Sequence, residues 1–574
     1  MVGRFWVGLI LALLLSSCDV SDINGRQYSA SKCEASGETL KDAREGFFLQ
    51  CGFEPYDCDP VEGGWICSSE IIGSNAPSLI SPPLVTPVYA CTAHGSTLTD
   101  AKMEFENQCS GVPVDCDPLN DQWMCSSEKI GANAPSVMDN PLDTQLTNRI
   151  IAASAGVGIS AFQLPDSEDF NAIPQDPNNP ITVEKVSLGR LLFHDTAFAL
   201  DGRGGEVGTW SCATCHHAAA GFKSGVRQGI GNGGIGFGLD GSERELALGF
   251  DATAEADSDL LPDLQPLASP TILNSAYQPV MLWNGQFGNG ADSGVNAAVD
   301  ESKLVTPGTP KEANLHRLSG IETQAIAGTG VHRLRFSEDS ALQHNAEYEA
   351  AFTAAFPSGS DDILRDAGKA IAAFERTVLA TRAPFQRWLR GHESALTDAE
   401  KRGAILFFGE AGCSDCHTGP ALSSWPNASA QDMFFAIGFA DFDVTSDDIH
   451  GLVDEATKMG RGGFTGEDIE KYKFKIPTLY NLADADVYGH GASFRSVRDV
   501  LDYKNRGVPQ AAIPLRFLDS RFGSLNLAPS EVDDLELFLL NALRDPELLR
   551  YQPASVPSGQ CVVVDDSSAR HLCP

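Results

Sequence analysis

Two pentapeptides constrain this chain more than anything else in it: Cys212-Ala213-Thr214-Cys215-His216 and Cys413-Ser414-Asp415-Cys416-His417. Two thiols two residues apart, followed at once by a histidine, form the pattern that anchors haem covalently. The thiols make thioethers to the haem vinyl groups and the histidine turns back to ligate the iron. A redox dithiol or half of a zinc site would explain the cysteine pairs, but not a histidine in both copies. Each pentapeptide follows a helical segment with the same mark. Leu188-Gly189-Arg190-Leu191-Leu192-Phe193 precedes the first and Gly403-Ala404-Ile405-Leu406-Phe407 the second, with Gly and Phe four apart on one helix face. The second helix opens with Thr397-Asp398-Ala399-Glu400, a capping box. Two covalently bound haem c groups are therefore expected. Cys212, Cys215 and His216 would hold one, and Cys413, Cys416 and His417 the other.

From about residue 150 the pattern is helical and strand signals are sparse. Ile371, Phe374 and Val378 make an apolar stripe on a helix that Pro384 is expected to end. A last helix is expected from Ser530, with Asp533 in its first turn and Leu535, Phe538, Leu539 and Leu543 on its apolar side. Gly229, Gly231 and Gly234 spell GxGxxG within the glycine-rich stretch Gly225 to Gly241. No strand–helix context surrounds them, so the stretch reads as a flexible loop rather than a nucleotide site.

The N-terminal part is different. Arg4 and the apolar run Phe5 to Leu15 read as a secretory signal over residues 1–17, too short to span a bilayer. It ends in Leu15-Ser16-Ser17-Cys18, which resembles a bacterial lipobox. Cys18 is then the expected acylated first mature residue, anchoring the protein by lipid on the periplasmic side of a membrane. Two modules follow, residues 28–80 and 86–138. Cys33, Cys51, Cys58 and Cys67 recur as Cys91, Cys109, Cys116 and Cys125, each 58 residues later. Units this short bury little apolar surface and usually need disulfides. Two bridges per module is the simple reading, with the pairing open and zinc as the alternative. The 15 cysteines then divide into one lipidated, eight in modules, four on haems, and Cys561 with Cys573, which could close a disulfide loop in the tail 553–574. The 77 acidic residues outnumber the 41 basic ones, a net charge of −36. That argues against a nucleic-acid partner but not against a basic protein partner.

Over roughly residues 150–550 the sequence resembles the bacterial di-haem cytochrome c peroxidases and the related MauG-type enzymes. The resemblance is carried by Leu188 to Phe193, the first haem motif, Ser269-Pro270-Thr271-Ile272-Leu273-Asn274, Trp283-Asn284-Gly285, Glu322-Thr323-Gln324-Ala325, Ala372-Ala373-Phe374-Glu375-Arg376-Thr377, the second haem motif and Ile476-Pro477-Thr478-Leu479. It implies a mainly α fold with two cytochrome c-like haem domains, at 150–390 and 391–552, preceded by the two small disulfide-rich modules. It also implies roles. The haem on His216 would react with hydrogen peroxide and the haem on His417 would transfer electrons. Trp283 would lie between them, and Gln324 would face the peroxide.

The departures from the family matter as much. The family's catalytic glutamate falls on Leu334 here, which leaves His332 as the nearest acid–base candidate and Glu322 as the second. Family members that need reductive activation carry a histidine in the loop after the first haem. Ala218 to Asp240 holds none, so an open first haem is expected. His217, beside the proximal ligand, should point elsewhere. For the distal ligand of the second haem the family uses Met or Tyr on a helix that reads here Val500-Leu501-Asp502-Tyr503-Lys504-Asn505-Arg506-Gly507. Alignment points to Lys504, and a one-residue slip to Tyr503, with Met459 as a remote option. The family's inter-haem calcium is a further candidate cofactor, although its Asn ligand falls on Ala268; Asp484 and Asp486 lie near the other positions.

The reading is an exported di-haem peroxidase that takes electrons from a small cytochrome or cupredoxin. The first alternative is a MauG-like enzyme that oxidises residues of a partner protein. The second is a pure electron-transfer di-haem cytochrome.

Overall fold

Asp57-Cys58-Asp59-Pro60-Val61 and Gly64-Trp65-Ile66-Cys67-Ser68 flank a two-residue connection with glycine second, a hairpin pattern. The computed structural model pairs them so. It describes residues 140–570, apart from 238–243, 291–293, 338–339, 426 and 441–452. Before residue 140 it describes six strands and Ala101. Strands β1 (Glu34–Gly37), β2 (Asp57–Val61) and β3 (Gly64–Ser68) form an antiparallel sheet in the order β1-β3-β2. Strands β4 (Thr92–Gly95), β5 (Asp115–Leu119) and β6 (Gln122–Ser126) repeat it in the order β4-β6-β5, each strand 58 residues later. Cys58 stands opposite Cys67, and Cys116 opposite Cys125. Cys125 is in a disulfide; the other module cysteines' side chains lie outside the described residues. So do the signal segment, Cys18 and Cys573. Residues 1–135 and 136–574 separate into two units.

The second unit is helical, and glycine decides how its helices cross. The first helix, α1 (Pro141–Ala153), starts nine residues before the expected onset of the helical region. Asn140 caps it, accepting from Leu142 N at 3.1 Å, and Pro141 takes the first turn, where no N–H is missed. Next come α2 (Val183–His194), α3 (Gly320–Gly328) and α4 (Ile363–Thr377). A Cβ on Gly189 would stand 1.9 Å from Ala370 O, so only glycine lets α2 lie on α4. After α4 the chain leaves the helix at Val378. Pro384 therefore does not end α4, as its sequence position suggested, but opens α5 (Pro384–Leu389). Helix α6 (Asp398–Phe407) carries the expected capping box: Glu400 N donates to Thr397 Oγ1, and Thr397 N to Glu400 Oε2 at 2.7 Å. Helices α7 (Val497–Arg506) and α8 (Pro529–Leu537) follow, the latter continuing as a π-turn through Phe538–Ala542. A Cβ on Gly403 would stand 2.0 Å from Asp534 O, the same close crossing, now of α6 on α8.

One apolar core runs through both halves, joining Phe193, Phe374, Phe407, Phe538 and Val563. Helix α1 precedes the first haem motif yet packs on the second half. Asp143 takes Lys401 at 2.7 Å and Trp388 Nε1 at 2.6 Å, all buried. The glycine-rich stretch is not the free loop its composition suggested. Its described part is largely buried and held by Arg244, which donates to the carbonyls of Ile230, Gly231 and Gly236 at 2.5, 2.9 and 2.7 Å. Among the described residues, no helix is long and apolar enough to cross a membrane.

Candidate functional site

In each half the haem pentapeptide ends in the same clasp. Cys212–Cys215 forms one helical turn, and His216 Nδ1 donates to Phe222 O at 3.4 Å. Phe222 has φ +58°, and Thr271 donates to the preceding carbonyl, Gly221 O, at 2.7 Å. Cys413–Asp415 is a 3-10 turn, and His417 Nδ1 donates to Leu422 O at 3.1 Å. Leu422 has φ +46°, and Thr478 donates to Ala421 O at 2.6 Å. Tying Nδ1 to a carbonyl fixes the tautomer and leaves Nε2 with its lone pair for a metal. Burial pushes both imidazoles down to about 4, so they are neutral at neutral pH. It pushes the thiols of Cys212, Cys215 and Cys413 up to about 12. A redox dithiol is served by the opposite shift. All four pentapeptide cysteines are free thiols, as haem attachment requires.

The second half encloses a cavity of about 480 Å³, mostly apolar, lined by Cys413, Cys416, His417, Lys504, Met459 and Trp283. Thiols and a neutral imidazole on one wall of a space this size suit a haem. Val497, Leu501 and Lys504 line it from one face of α7. Lys504 Nζ lies over the rings of Phe439 and Phe522, and burial lowers its pKa. Tyr503, the other candidate, turns away: its hydroxyl donates to Ile437 O at 2.5 Å within an aromatic cluster. Trp283 Nε1 donates to Ala268 O at 2.7 Å and the indole meets His490 edge-on, ring centres 6.3 Å apart. Asp484 accepts from Arg544 and Asn481, each at 2.7 Å.

Around the first motif, Gly229 fits between Cys215 Sγ and Gln265; a Cβ there would be 3.0 Å from each. Gln265 Nε2 lies 2.8 Å from His332 Nδ1, and Asp263 Oδ2 lies 3.2 Å from the same nitrogen. Burial works to lower the His332 pKa, but the Asp263 carboxylate outweighs it and holds the imidazole above its ordinary value. The side chain keeps 45 % of its surface open, so solvent weakens that field. Leu334 is buried in the core. Gln324 is half-buried on α3. Glu322, the second acid–base candidate, is fully buried and bidentate to Arg376 at 2.6 and 2.8 Å. Bound in this way it ties α3 to α4 and has no free oxygen pair with which to shuttle protons. His217 turns onto Phe237, ring centres 6.1 Å apart. Sequence reasoning missed Asp263, Gln265 and the raised carboxyl of Glu375, which burial and then Glu322 push up to about 8. No local pattern marks any of these three.

The C-terminal tail closes over the first motif. Ser211 and Thr214 both donate to Val563 O, at 2.9 and 2.7 Å, and Val562 and Val564 bridge to Asp195 and Trp210. Cys561 is in a disulfide.

Residues 183–394 match the family model described as di-haem cytochrome c peroxidase. The chain is 27% identical over 399 residues to the methylamine utilization protein MauG of Methylorubrum extorquens, covering 69% of this chain and 85% of that protein. It is 27% identical over 444 residues to the cytochrome-c peroxidase IdrP1 of Pseudomonas sp. (strain SCT), covering 73% and 97%. It is 28% identical over 328 residues to the cytochrome c peroxidase Ccp of Escherichia coli (strain K12), covering 56% and 53%.

Proposed function

We propose that the chain is an oxidoreductase of the di-haem cytochrome c peroxidase and MauG family, and that it reduces hydrogen peroxide at its Cys212–His216 half with electrons received at its Cys413–His417 half. The observation that carries this reading is the duplicated clasp, which leaves two neutral imidazoles, each beside a free thiol pair. When bound, haem supplies an iron that accepts electrons singly and reacts with peroxide oxygen. The chain supplies the rest. Cys212 and Cys215, and Cys413 and Cys416, would hold the two groups covalently. His216 and His417 would each ligate an iron, and Lys504 would be the second protein ligand of the iron on His417.

Peroxide must transfer a proton from one oxygen to the other as its bond breaks, and the carboxylate that does this elsewhere in the family is replaced by Leu334. His332 takes that role, held through Gln265 and Asp263 beside Cys215. Because Asp263 raises its pKa, the imidazole keeps its proton to higher pH and becomes a free base only above that raised value. Gln324 orients the peroxide. Trp283, fixed by its hydrogen bond to Ala268 O, carries electrons between the halves. The protein works on the periplasmic side of the membrane, held by lipid at Cys18, with a small cytochrome or cupredoxin as donor.

The MauG-like alternative, oxidation of a partner protein, is favoured by one observation: the second cavity offers a buried lysine on α7, whose neutral amine could ligate iron, where Met would serve a high-potential electron acceptor. Peroxide turnover with a reduced small cytochrome separates the readings. Rapid, catalytic oxidation of that donor supports the peroxidase. A long-lived oxidised state after peroxide alone, with no donor turnover, supports the alternative. For the ligand, Lys504→Ala should convert the low-spin signal of the second haem to high spin in electron paramagnetic resonance. If that signal survives, the assignment fails and Met459, on the same wall, is next.

A further inference from the structure

Lys223 follows Phe222, whose carbonyl holds the His216 imidazole, so its backbone belongs to the first half. Its side chain nevertheless lines the second half's cavity, beside Ala268, Thr271 and Trp283. Among the described residues its ammonium makes no hydrogen bond or ion pair; its contact is the Tyr488 ring, 5.6 Å from the centroid. Burial pushes this ammonium down to about 8.

Of the other cations lining this cavity, Lys504 lies over Phe439 and Phe522 as the proposed iron ligand, and the rest are engaged. Lys475 donates to Gln278 and to Val280 O, Arg521 pairs with Asp519 at 2.8 Å, and Lys458 with Glu455 at 2.8 Å. The neighbouring donors are spent as well, Trp283 Nε1 on Ala268 O and Thr271 on Gly221 O. An ammonium taken out of water without a counter-charge is costly, and so is a carboxylate. Haem brings two carboxylates, and a cavity that receives it must meet them with donors.

We propose that Lys223 is the ion-pair partner of a propionate carboxylate of the haem held by Cys413, Cys416 and His417. A residue of the first half thereby sets the charge around the second half's iron. This rests on the assignment of haem to that cavity made above. Lys223 acts here as a positioning residue, and its effect is electrostatic. A fixed cation favours the reduced iron, which carries one positive charge fewer, and so raises the potential.

The test uses the full chain matured with haem, as Lys223→Met, Lys223→Gln and Lys223→Arg. Haem is counted first by pyridine haemochrome, and each midpoint is then read by spectroelectrochemistry. Two haems per chain, with the second midpoint lowered in Met and Gln and restored in Arg, is the expected result. Two haems with an unchanged second midpoint, or a shift confined to the first, overturns the proposal. A wild-type chain carrying one haem would instead overturn the underlying assignment, a different outcome. If the Met variant does not accumulate, the Gln variant decides in the same way.

Discussion

In the first half, Gly189 lets α2 lie on α4, His216 is clasped by Phe222 O, and Thr271 braces the turn. In the second half, Gly403, Leu422 O and Thr478 do the same work for α6, α8 and His417. What differs is everything facing the frame. The first motif is an α-turn held by the tail and adjoined by Asp263, Gln265 and His332. The second is a 3-10 turn facing a cavity with a lysine on its far helix. On the proposed reading, the duplicated parts would hold haem, and the unduplicated parts would decide what each haem does.

The largest effect should come from breaking the shared frame. Gly189→Ala and Gly403→Ala each drive a methyl into a backbone carbonyl, and each should cost about 1–3 kcal/mol or more in thermal unfolding. A harmless change in one half would mean that the crossings are not equivalent. Next in size is a change confined to the first half. His332→Ala should slow the reaction with peroxide at least about tenfold in stopped-flow traces and leave resting haem spectra unchanged; an equal rate would remove His332 from the mechanism.

Thr271→Val and Thr478→Val each lose one buried hydrogen bond and should cost about 1 kcal/mol. Chemical denaturation that found one costly and the other neutral would show the clasps to be unequal. The smallest effect is Asp263→Asn. His332 is held above its ordinary value, so its base form is lost as pH falls through that raised pKa. Without the carboxylate the pKa drops, and the acid limb of the peroxide rate should move to lower pH. A limb that stays in place would assign it to another group.

What was legible in the sequence was local. The capping box at Thr397 and Glu400, the Gly–Phe spacing and the two pentapeptides each lie within a few residues, and the capping box and the glycine crossings are in the structure. What was not legible depends on distant partners. Helix α1 belongs with the second half because Asp143 meets Lys401, 258 residues on. The glycine-rich stretch is fixed by Arg244, whose role no composition announces. That Lys504 lines the cavity was within reach, since Val497, Leu501 and Lys504 share a helical face. Lys223 was not, because nothing near it in sequence shows that its side chain reaches the other half's cavity.

The tail contacts set an order of events during synthesis. Ser211 and Thr214 donate to Val563, which is 352 and 349 residues further along the chain. While the chain emerges, Cys212 and Cys215 are therefore made long before the segment that closes over them. Bringing such distant residues together is slow and entropically costly. On the proposed reading, the first pair of thiols would thus have a long interval in which a haem-attaching machinery could reach it. Closure by residues 562–564 would then come as a late step, sealing a group already in place.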